Sequence, residues 1–276
     1  MSETMTESPV AASERMIPPI SCYIRTLNES RMIAEVVRAA YQVCREVIII
    51  DSGSTDGTIA IAREAGASVV HQDWLGNGGQ KRVGEDRASY DWVLDLDADE
   101  VVTPEFAAEV MDLFEAGEPP CAVYNTPLVN VPPVGKPWYG YGQSERHKLY
   151  DKTKIRIPDH PAWDQFRIPR GTKVGKLKHA ILHYAFDGAE LFITKVNKNS
   201  STRARHVEDK AMAWLIIRIF LGLPVYFSKR YFVNGLWRGG VYGFAFALMS
   251  GFGKWLRDVK MYERIMKERG KSLYRD

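Results

Sequence analysis

A chain of 276 residues, 45% apolar and 26% charged, is ordinary for a globular protein and can bury one large α/β core, alone or with an appendage. Its net charge of +3 is uneven: residues 210–257 hold seven Lys or Arg and no Asp or Glu, which points to an anionic surface as partner, a membrane or a nucleic acid. Three scattered cysteines (Cys22, Cys44, Cys121) make an odd count without metal-ligand spacing and indicate a reducing cytosol.

Residues 1–17 are polar, include three Glu and lack an apolar core, so they are no signal peptide and are expected to form a disordered leader. A short apolar alternation over 20–25 predicts the first strand, followed by the loop Thr26-Leu27-Asn28-Glu29. A helix over 30–43 carries Ile33, Val36, Val37 and Ala40 on one face. A strand over 46–50 leads through the turn 51–57 into a helix over 58–65, which Gly66 stops. A third strand spans 67–71, and Gly76-Asn77-Gly78-Gly79 reads as a flexible loop before a helix over 80–89. A fourth strand spans 92–96, and Pro104 opens the next helix, where its missing N–H costs nothing. Strands alternating with helices predict βαβ units around a parallel sheet. Beyond Pro119, Pro, Gly and aromatics dominate 125–142, and the strands of this half read as short, in a loop-rich region suited to an acceptor site.

Two apolar runs end in acids: 48–50 in Asp51-Ser52-Gly53-Ser54, and 92–94 in Asp95-Leu96-Asp97-Ala98-Asp99-Glu100. In an open α/β sheet, ligands bind beyond the carboxyl ends of the strands, so both acidic turns face one crevice. A calcium EF-hand loop is excluded, because its sixth position is Glu100 rather than Gly and its twelfth is Phe106 rather than Glu. Period-two alternation puts Asp95 and Asp97 on one strand face, with Asp99 past the strand end. So many like charges need a compensating cation. Hard oxygen ligands suit Mg²⁺ or Mn²⁺, bound through carboxylates and substrate phosphates, with Asp95 the more structural member. Asp51 is either an acceptor for a base N–H or an Asx-turn residue. The glycine loop offers backbone amides to phosphates only weakly, and the P-loop spacing is missing. His183 is either a packed residue or a further ligand to metal or diphosphate.

Thr26-Leu27-Asn28-Glu29, Asp51-Ser52-Gly53-Ser54-Thr55-Asp56 and Leu96-Asp97-Ala98-Asp99-Glu100, in this order, resemble glycosyltransferase family 2. The likeness is closest to its bacterial branch acting on lipopolysaccharide core and related surface glycans. It implies a GT-A fold, an α/β Rossmann-like mixed sheet flanked by helices, spanning 18–205, and a nucleoside-diphosphate sugar donor, UDP-sugar by preference. It also implies a divalent metal and inversion at the anomeric carbon. By this resemblance Thr26, Glu29, Asp51, Gln80, Lys81 and Asp97 bind the nucleotide sugar, and Asp97, Asp99 and His183 hold Mg²⁺ or Mn²⁺. Where relatives carry Val-His-Glu, this chain has Ala162-Trp163-Asp164-Gln165, which makes Asp164 the counterpart of the catalytic base. The Q-x-x-R-W motif of processive synthases is absent, so one sugar per encounter is expected. Trp138, Tyr139 and Trp163 offer aromatic faces for the acceptor.

The last part, 206–276, reads as amphipathic helices. Its longest uncharged run, 239–253, falls short of a bilayer span. Aromatics interleaved with basic residues (Trp214, Phe220, Tyr226, Phe227, Tyr231, Trp237, Phe246, Trp255) suit the headgroup region of an anionic membrane; the competing reading is core packing. The expectation is therefore an inverting glycosyltransferase with a glycan or glycolipid acceptor, peripheral on the cytoplasmic side of the inner membrane, without nucleic acid as partner. A sugar nucleotidyltransferase would carry a Gly-rich basic loop where Thr26-Leu27-Asn28-Glu29 stands. A nucleic-acid binder would not interleave its basic residues with runs such as Leu215-Ile216-Ile217.

Overall fold

The computed structural model describes residues 15–185 and 188–270. All but the last three residues of the expected leader lie outside them. Along the first half, β1 (Ile20–Thr26), α1 (Ile33–Ala40), β2 (Glu46–Asp51), α2 (Thr58–Glu64), β3 (Ser68–His71), α3 (Asn77–Arg87) and β4 (Trp92–Asp97) alternate as expected, and β1 lies between β2 and β4. These four strands are parallel. Most of the side chains of β1, β2 and β4 are apolar on both faces, as a sheet covered on both sides requires. Cys22, Ile24, Val47, Ile49, Leu94 and Leu96 form one core with Val36 and Val37 of α1; Tyr23, Ile48, Ile50 and Val93 form the other. The predicted helix over 30–43 contracts to eight residues, because the backbone tightens into turns at both ends.

The short β5 (Glu100–Val102) precedes α4 (Pro104–Glu115), whose first turn is capped by Thr103 Oγ1 accepting from the Phe106 N–H at 3.2 Å. Then follow β6 (Val123–Asn130), β7 (Ser144–Asp151), β8 (Val174–Lys176) and β9 (Ile181–His183). The sheet order is β3-β2-β1-β4-β7-β6-β9-β5, with β8 also on β6. It is a Rossmann-like mixed sheet flanked by helices, the GT-A arrangement. The expectation of short strands in this half fails for β6 and β7, each eight residues long. Their pairing buries one face of each strand even though Pro127 and several charged residues obscure the alternation.

The chain ends in α5 (Ala189–His206), α6 (Met212–Ser228), a π-helical turn at Lys229–Val233, a 3-10 turn at Leu236–Gly239 and α7 (Gly240–Glu268). Both α5 and α6 pack along α7. Asp258 of α7 is buried and accepts hydrogen bonds from Lys210 at 3.0 Å, Arg218 at 3.0 Å, Tyr226 at 2.9 Å and Arg257 at 2.9 Å. On α5, Lys260 of α7 reaches Asn197 Oδ1 at 2.6 Å and Ser201 Oγ at 2.7 Å. The 22-residue stretch Met212–Val233, with mean hydropathy 1.4, is long and apolar enough to cross a bilayer by length and composition. Counting only uncharged runs misses it, because Arg218 turns its guanidinium inward to Asp258 and leaves the outer face of α6 apolar.

Candidate active site

The registers of β1 and β4 set Tyr23 beside Asp95 and Arg25 beside Asp97. Residues so paired in parallel strands share a face, and this face meets α3. Lys81 of α3, 2% exposed, donates to Asp95 Oδ2 at 2.7 Å and lies 3.7 Å from Asp97 and 3.5 Å from Asp164. Arg25 grips Asp97 with two hydrogen bonds, at 2.7 and 3.2 Å, and also lies 3.2 Å from Asp164. The predicted shared face of Asp95 and Asp97 is therefore present, as is the structural role of Asp95. The compensation differs from the expectation of a cation alone: the side chains of Lys81 and Arg25 stabilise Asp95 and Asp97. Lys148 likewise pairs with buried Glu100 at 2.6 Å. Sequence reasoning missed Arg25, although a basic residue two positions beyond Tyr23 on an otherwise apolar strand was the available signal.

Burial by itself raises the Asp97 carboxyl, but Arg25, Lys81 and Lys148 outweigh it and hold the group well below the usual carboxylate range. Asp164 is likewise raised by burial and then pulled down to about 2 by Lys81 and Arg25. Both groups are thus firmly ionised.

The glycine loop has another purpose than phosphate binding. A Cβ on Gly78 would stand 2.1 Å from the Pro158 carbonyl oxygen and 2.4 Å from that of Trp163, and one on Gly76 would stand 2.3 Å from the Pro161 Cα. The Asn77 and Gly78 amides donate to the carbonyls of Pro161 and His160, each at 2.9 Å. These glycines let residues 158–163 lie against the start of α3, and that contact seats Asp164 beside Lys81. Two of the amides proposed for phosphates, those of Asn77 and Gly78, are taken, and α3 begins at Asn77 rather than Gln80.

Beyond the carboxyl ends of β1 and β4 opens a cleft of about 400 Å³. Thr26, Glu29, Asp97, Asp99 and His183 all line it, joined by Arg25, Trp74 and Lys195. Antiparallel pairing of β9 with β5 delivers His183 to this rim. Asn130 Nδ2 donates to the Gly142 carbonyl at 2.8 Å, which turns its Oδ1 toward His183 Nδ1 at 3.1 Å. Nδ1 must then carry the hydrogen, and Nε2 faces Asp99 Oδ1 at 3.6 Å. Lys195 of α5 reaches Asp99 at 3.4 Å and Glu29 at 3.5 Å. Thr26 Oγ1 is buried without a hydrogen-bond partner.

Other expected site residues are placed differently. Asp51 is buried; its Oδ2 accepts from the Gly53 and Ser54 amides at 2.8 and 2.9 Å and its Oδ1 from Ser54 Oγ at 2.5 Å. It therefore forms an Asx turn at the end of β2. Gln80 is buried and donates to Ser52 Oγ and the Gln72 carbonyl, each at 3.0 Å, so it braces the turn. Trp138, 3% exposed, packs on Leu236 and edge-on to Phe246, which withdraws its faces from any sugar. Tyr139 and Trp163 are exposed.

The sequence profile described as Glycosyl transferase family 2 matches residues 21–179, more than half of the chain. The chain belongs to glycosyltransferase family 2. Relatives in this family include an uncharacterized glycosyltransferase of Rickettsia conorii, 29% identical over 91% of this chain and 92% of its own length. The lipopolysaccharide core biosynthesis glycosyltransferase LpsC of Rhizobium meliloti is 27% identical over 90% of this chain and 94% of its own. Among solved structures, S. aureus TarS 1-349 in complex with UDP overlaps 94% of this chain and 93% of its own at 16% identity and a TM-score of 0.47. Glucosyl-3-phosphoglycerate synthase of Mycobacterium tuberculosis, solved with Mn²⁺ and UDP-glucose, overlaps 41% of this glycosyltransferase and 43% of its own chain, with 25% identity and a TM-score of 0.32.

The donor set suits a divalent cation. Asp99 and His183 Nε2 face each other across the cleft, with the imidazole oriented by Asn130. Among the described residues no group of three His, Cys, Asp or Glu side chains converges as a complete metal cage. Magnesium and manganese sites that draw further oxygens from substrate phosphates do not need one.

Proposed function

We propose that this glycosyltransferase moves one sugar, with inversion, from a nucleoside-diphosphate sugar to a lipid-linked or lipopolysaccharide-type glycan at the cytoplasmic membrane face. The observation that carries this reading is the convergence of Thr26, Glu29, Asp97, Asp99 and His183 on one cleft beyond β1 and β4. The similarity to LpsC favours a lipopolysaccharide-core acceptor.

Thr26, Glu29 and Asp97 bind the donor, with a uridine nucleotide as the first candidate. Asp99 and His183 would hold Mg²⁺ or Mn²⁺, which when bound supplies positive charge against the departing nucleoside diphosphate. Arg25 and Lys81 fix Asp97 and Asp164. Asp164 takes the proton from the attacking acceptor hydroxyl. Lys81 and Arg25 hold its carboxyl down at about 2, so it stands ionised and able to accept that proton. Tyr139 and Trp163 offer exposed faces to the acceptor, a part that Trp138 does not share.

The membrane role rests on α6 and the turns after it. Trp214, Phe220, Leu221, Val225 and Trp237 are exposed, Phe220 by 78%, whereas Tyr226, Phe227, Tyr231 and Trp255 are partly buried and Phe246 is buried. The exposed subset supports a helix lying in the headgroup region of an anionic bilayer, and the buried subset serves core packing.

The test is a panel of nucleotide sugars, scored first by thermal stabilisation and then by nucleoside-diphosphate release with deacylated lipopolysaccharide core. One donor should stabilise the fold and turn over only with acceptor and Mg²⁺ or Mn²⁺. Turnover of nucleoside triphosphate with sugar phosphate instead would replace the proposal with nucleotidyl transfer.

A further inference from the structure

The cations around the candidate site are held in two different ways. Arg25, Lys81 and Lys148 are locked onto Asp97, Asp95 and Glu100 at 2.7, 2.7 and 2.6 Å. Lys195 of α5 is held loosely. Its ammonium lies 3.4 Å from Asp99 Oδ2 and 3.5 Å from Glu29 Oε1, and its side chain is 46% exposed. Both distances exceed the roughly 2.7–2.9 Å of a tight charge-assisted hydrogen bond. A lysine carries three donors on a flexible stem, so two long pairs leave it able to turn to a further acceptor.

The helix that carries Lys195 fixes where this cation stands. Phe192, Lys195, Val196 and Asn199 follow the spacing of one helical face, and all four line the cleft beyond β1 and β4. The helix is seated on α7, where Lys260 donates to Asn197 Oδ1 at 2.6 Å and Ser201 Oγ at 2.7 Å, and a Cβ on Gly253 would stand 2.9 Å from Val196 Cγ1. Lys198, the other lysine of this wall, sits 5.7 Å over the Trp74 ring, so Lys195 is the one placed at Asp99.

With a donor in this cleft, sugar transfer creates new charge. The bond between the anomeric carbon and the β-phosphate oxygen breaks with its electron pair left on that oxygen. The acceptor oxygen bonds the anomeric carbon from the other face, and the acceptor's proton passes to Asp164. The departing nucleoside diphosphate thus carries one more negative charge than the bound donor. An interaction that strengthens as that charge grows raises the rate of the chemical step without tightening the donor. We propose that Lys195 is a catalytic residue that turns from Glu29 and Asp99 to donate a hydrogen bond to the β-phosphate of the leaving nucleoside diphosphate. The proposal rests on the transferase reading, and it makes the C-terminal helices part of the active site.

The full chain is compared as wild type, Lys195→Met and Lys195→Arg. Calorimetry measures binding of inorganic pyrophosphate, and rapid quench measures single-turnover transfer from the nucleotide sugar that the donor panel selects. Because the Lys195 side chain stands at the surface of the cleft, neither substitution disturbs the core. Lys195→Met should slow the single-turnover rate by about a hundredfold. It should leave the dissociation constant of the donor within about threefold of the wild type and weaken pyrophosphate by about tenfold or more. Lys195→Arg should restore most of the pyrophosphate affinity, because a guanidinium also binds phosphate oxygens. Unchanged pyrophosphate affinity in Lys195→Met overturns the proposal whatever the rate, as does a wild type that binds no pyrophosphate. A single-turnover rate close to that of the wild type overturns it too. So does an equal loss of donor and pyrophosphate affinity in Lys195→Met, which makes Lys195 a brace for α5. Pyrophosphate binding that depends on Lys195, without transfer from any nucleotide sugar, leaves the phosphate contact standing and removes the transferase reading instead.

Discussion

Replacing Lys81 by Met should be among the most destabilising single changes in the first half of the chain. The side chain is 2% exposed, and its ammonium is the hydrogen-bond partner of Asp95 Oδ2, while Asp95 Oδ1 has none. Without Lys81 a buried carboxylate loses its ion pair, and Arg25 is left, among the described residues, as the one cation in direct contact with Asp97 and Asp164. Breaking a buried pair by removing one partner costs about 3–5 kcal/mol, a large share of the roughly 5–15 kcal/mol that holds a domain together. Methionine keeps the aliphatic stem, so little of the loss comes from packing. Urea denaturation of the wild type, Lys81→Met, Asp95→Leu and the double variant forms a thermodynamic cycle. The double variant should recover more than half of the single-variant loss, because both charges then leave the core together. A loss under about 1 kcal/mol in Lys81→Met, or no recovery in the double variant, would refute the argument that this pair is the electrostatic keystone beneath the cleft.

Asp99→Ala and His183→Ala should each lower transfer by two or more orders of magnitude with little change in melting temperature; transfer that persists undiminished in excess chelator would exclude a metal there. Asp164→Asn should keep donor affinity and lose kcat, which steady-state kinetics resolves. Because the folded-state pKa of Asp164 is depressed to about 2 from 3.8, its contribution to stability is full above about pH 4 and lost as pH falls toward 2. It amounts to about 2 kcal/mol, and acid titration of the Asn variant should lack it. Gly78→Ala places a methyl 2.1 Å from a carbonyl oxygen, so residues 158–163 must shift by about an ångström, and transfer should fall about a hundredfold with donor affinity retained. Vesicle flotation should recover the wild type with anionic lipid and less of the Lys229→Glu, Arg238→Glu variant; equal recovery of both would argue for plain packing of these helices.

The first half of the fold was legible because each strand is a compact apolar run and the turns carry their own chemistry, as at Gly66 and Thr103-Pro104. Asp97, Asp99, Thr26, Glu29 and His183 were legible as cleft residues because strand ends fix where they point. What stayed hidden was tertiary. Arg25, Lys195 and Asn130 act through partners 50 to 100 positions away in the chain, as Arg25 does with Asp97 and Lys195 with Asp99. The glycine loop was misread because glycine signals a close approach without saying what approaches; here it is the segment preceding Asp164. Helix α5 escaped notice because Asn, Ser and Thr compete with its backbone hydrogen bonds, and its formation depends on α7. Trp138 was taken for a sugar platform on composition, yet its burial is decided by Leu236 and Phe246, about a hundred residues later.

The position of α5 makes the tail more than an anchor. Phe192, Lys195 and Val196 form one side of the donor cleft, while the same helix is tied to α7 through Lys260 and by Val196 against Gly253. Trimming the apolar hairpin to obtain a shorter catalytic fragment would therefore strip the support from a wall of the cleft beyond β1 and β4. A load applied to α6 and α7 has a direct mechanical route to Lys195 and, through it, to Asp99 and Glu29. If docking on a surface and donor binding bias the same seating of α5, each must strengthen the other by an equal factor, and a nucleotide titration with and without vesicles reads that factor from either side.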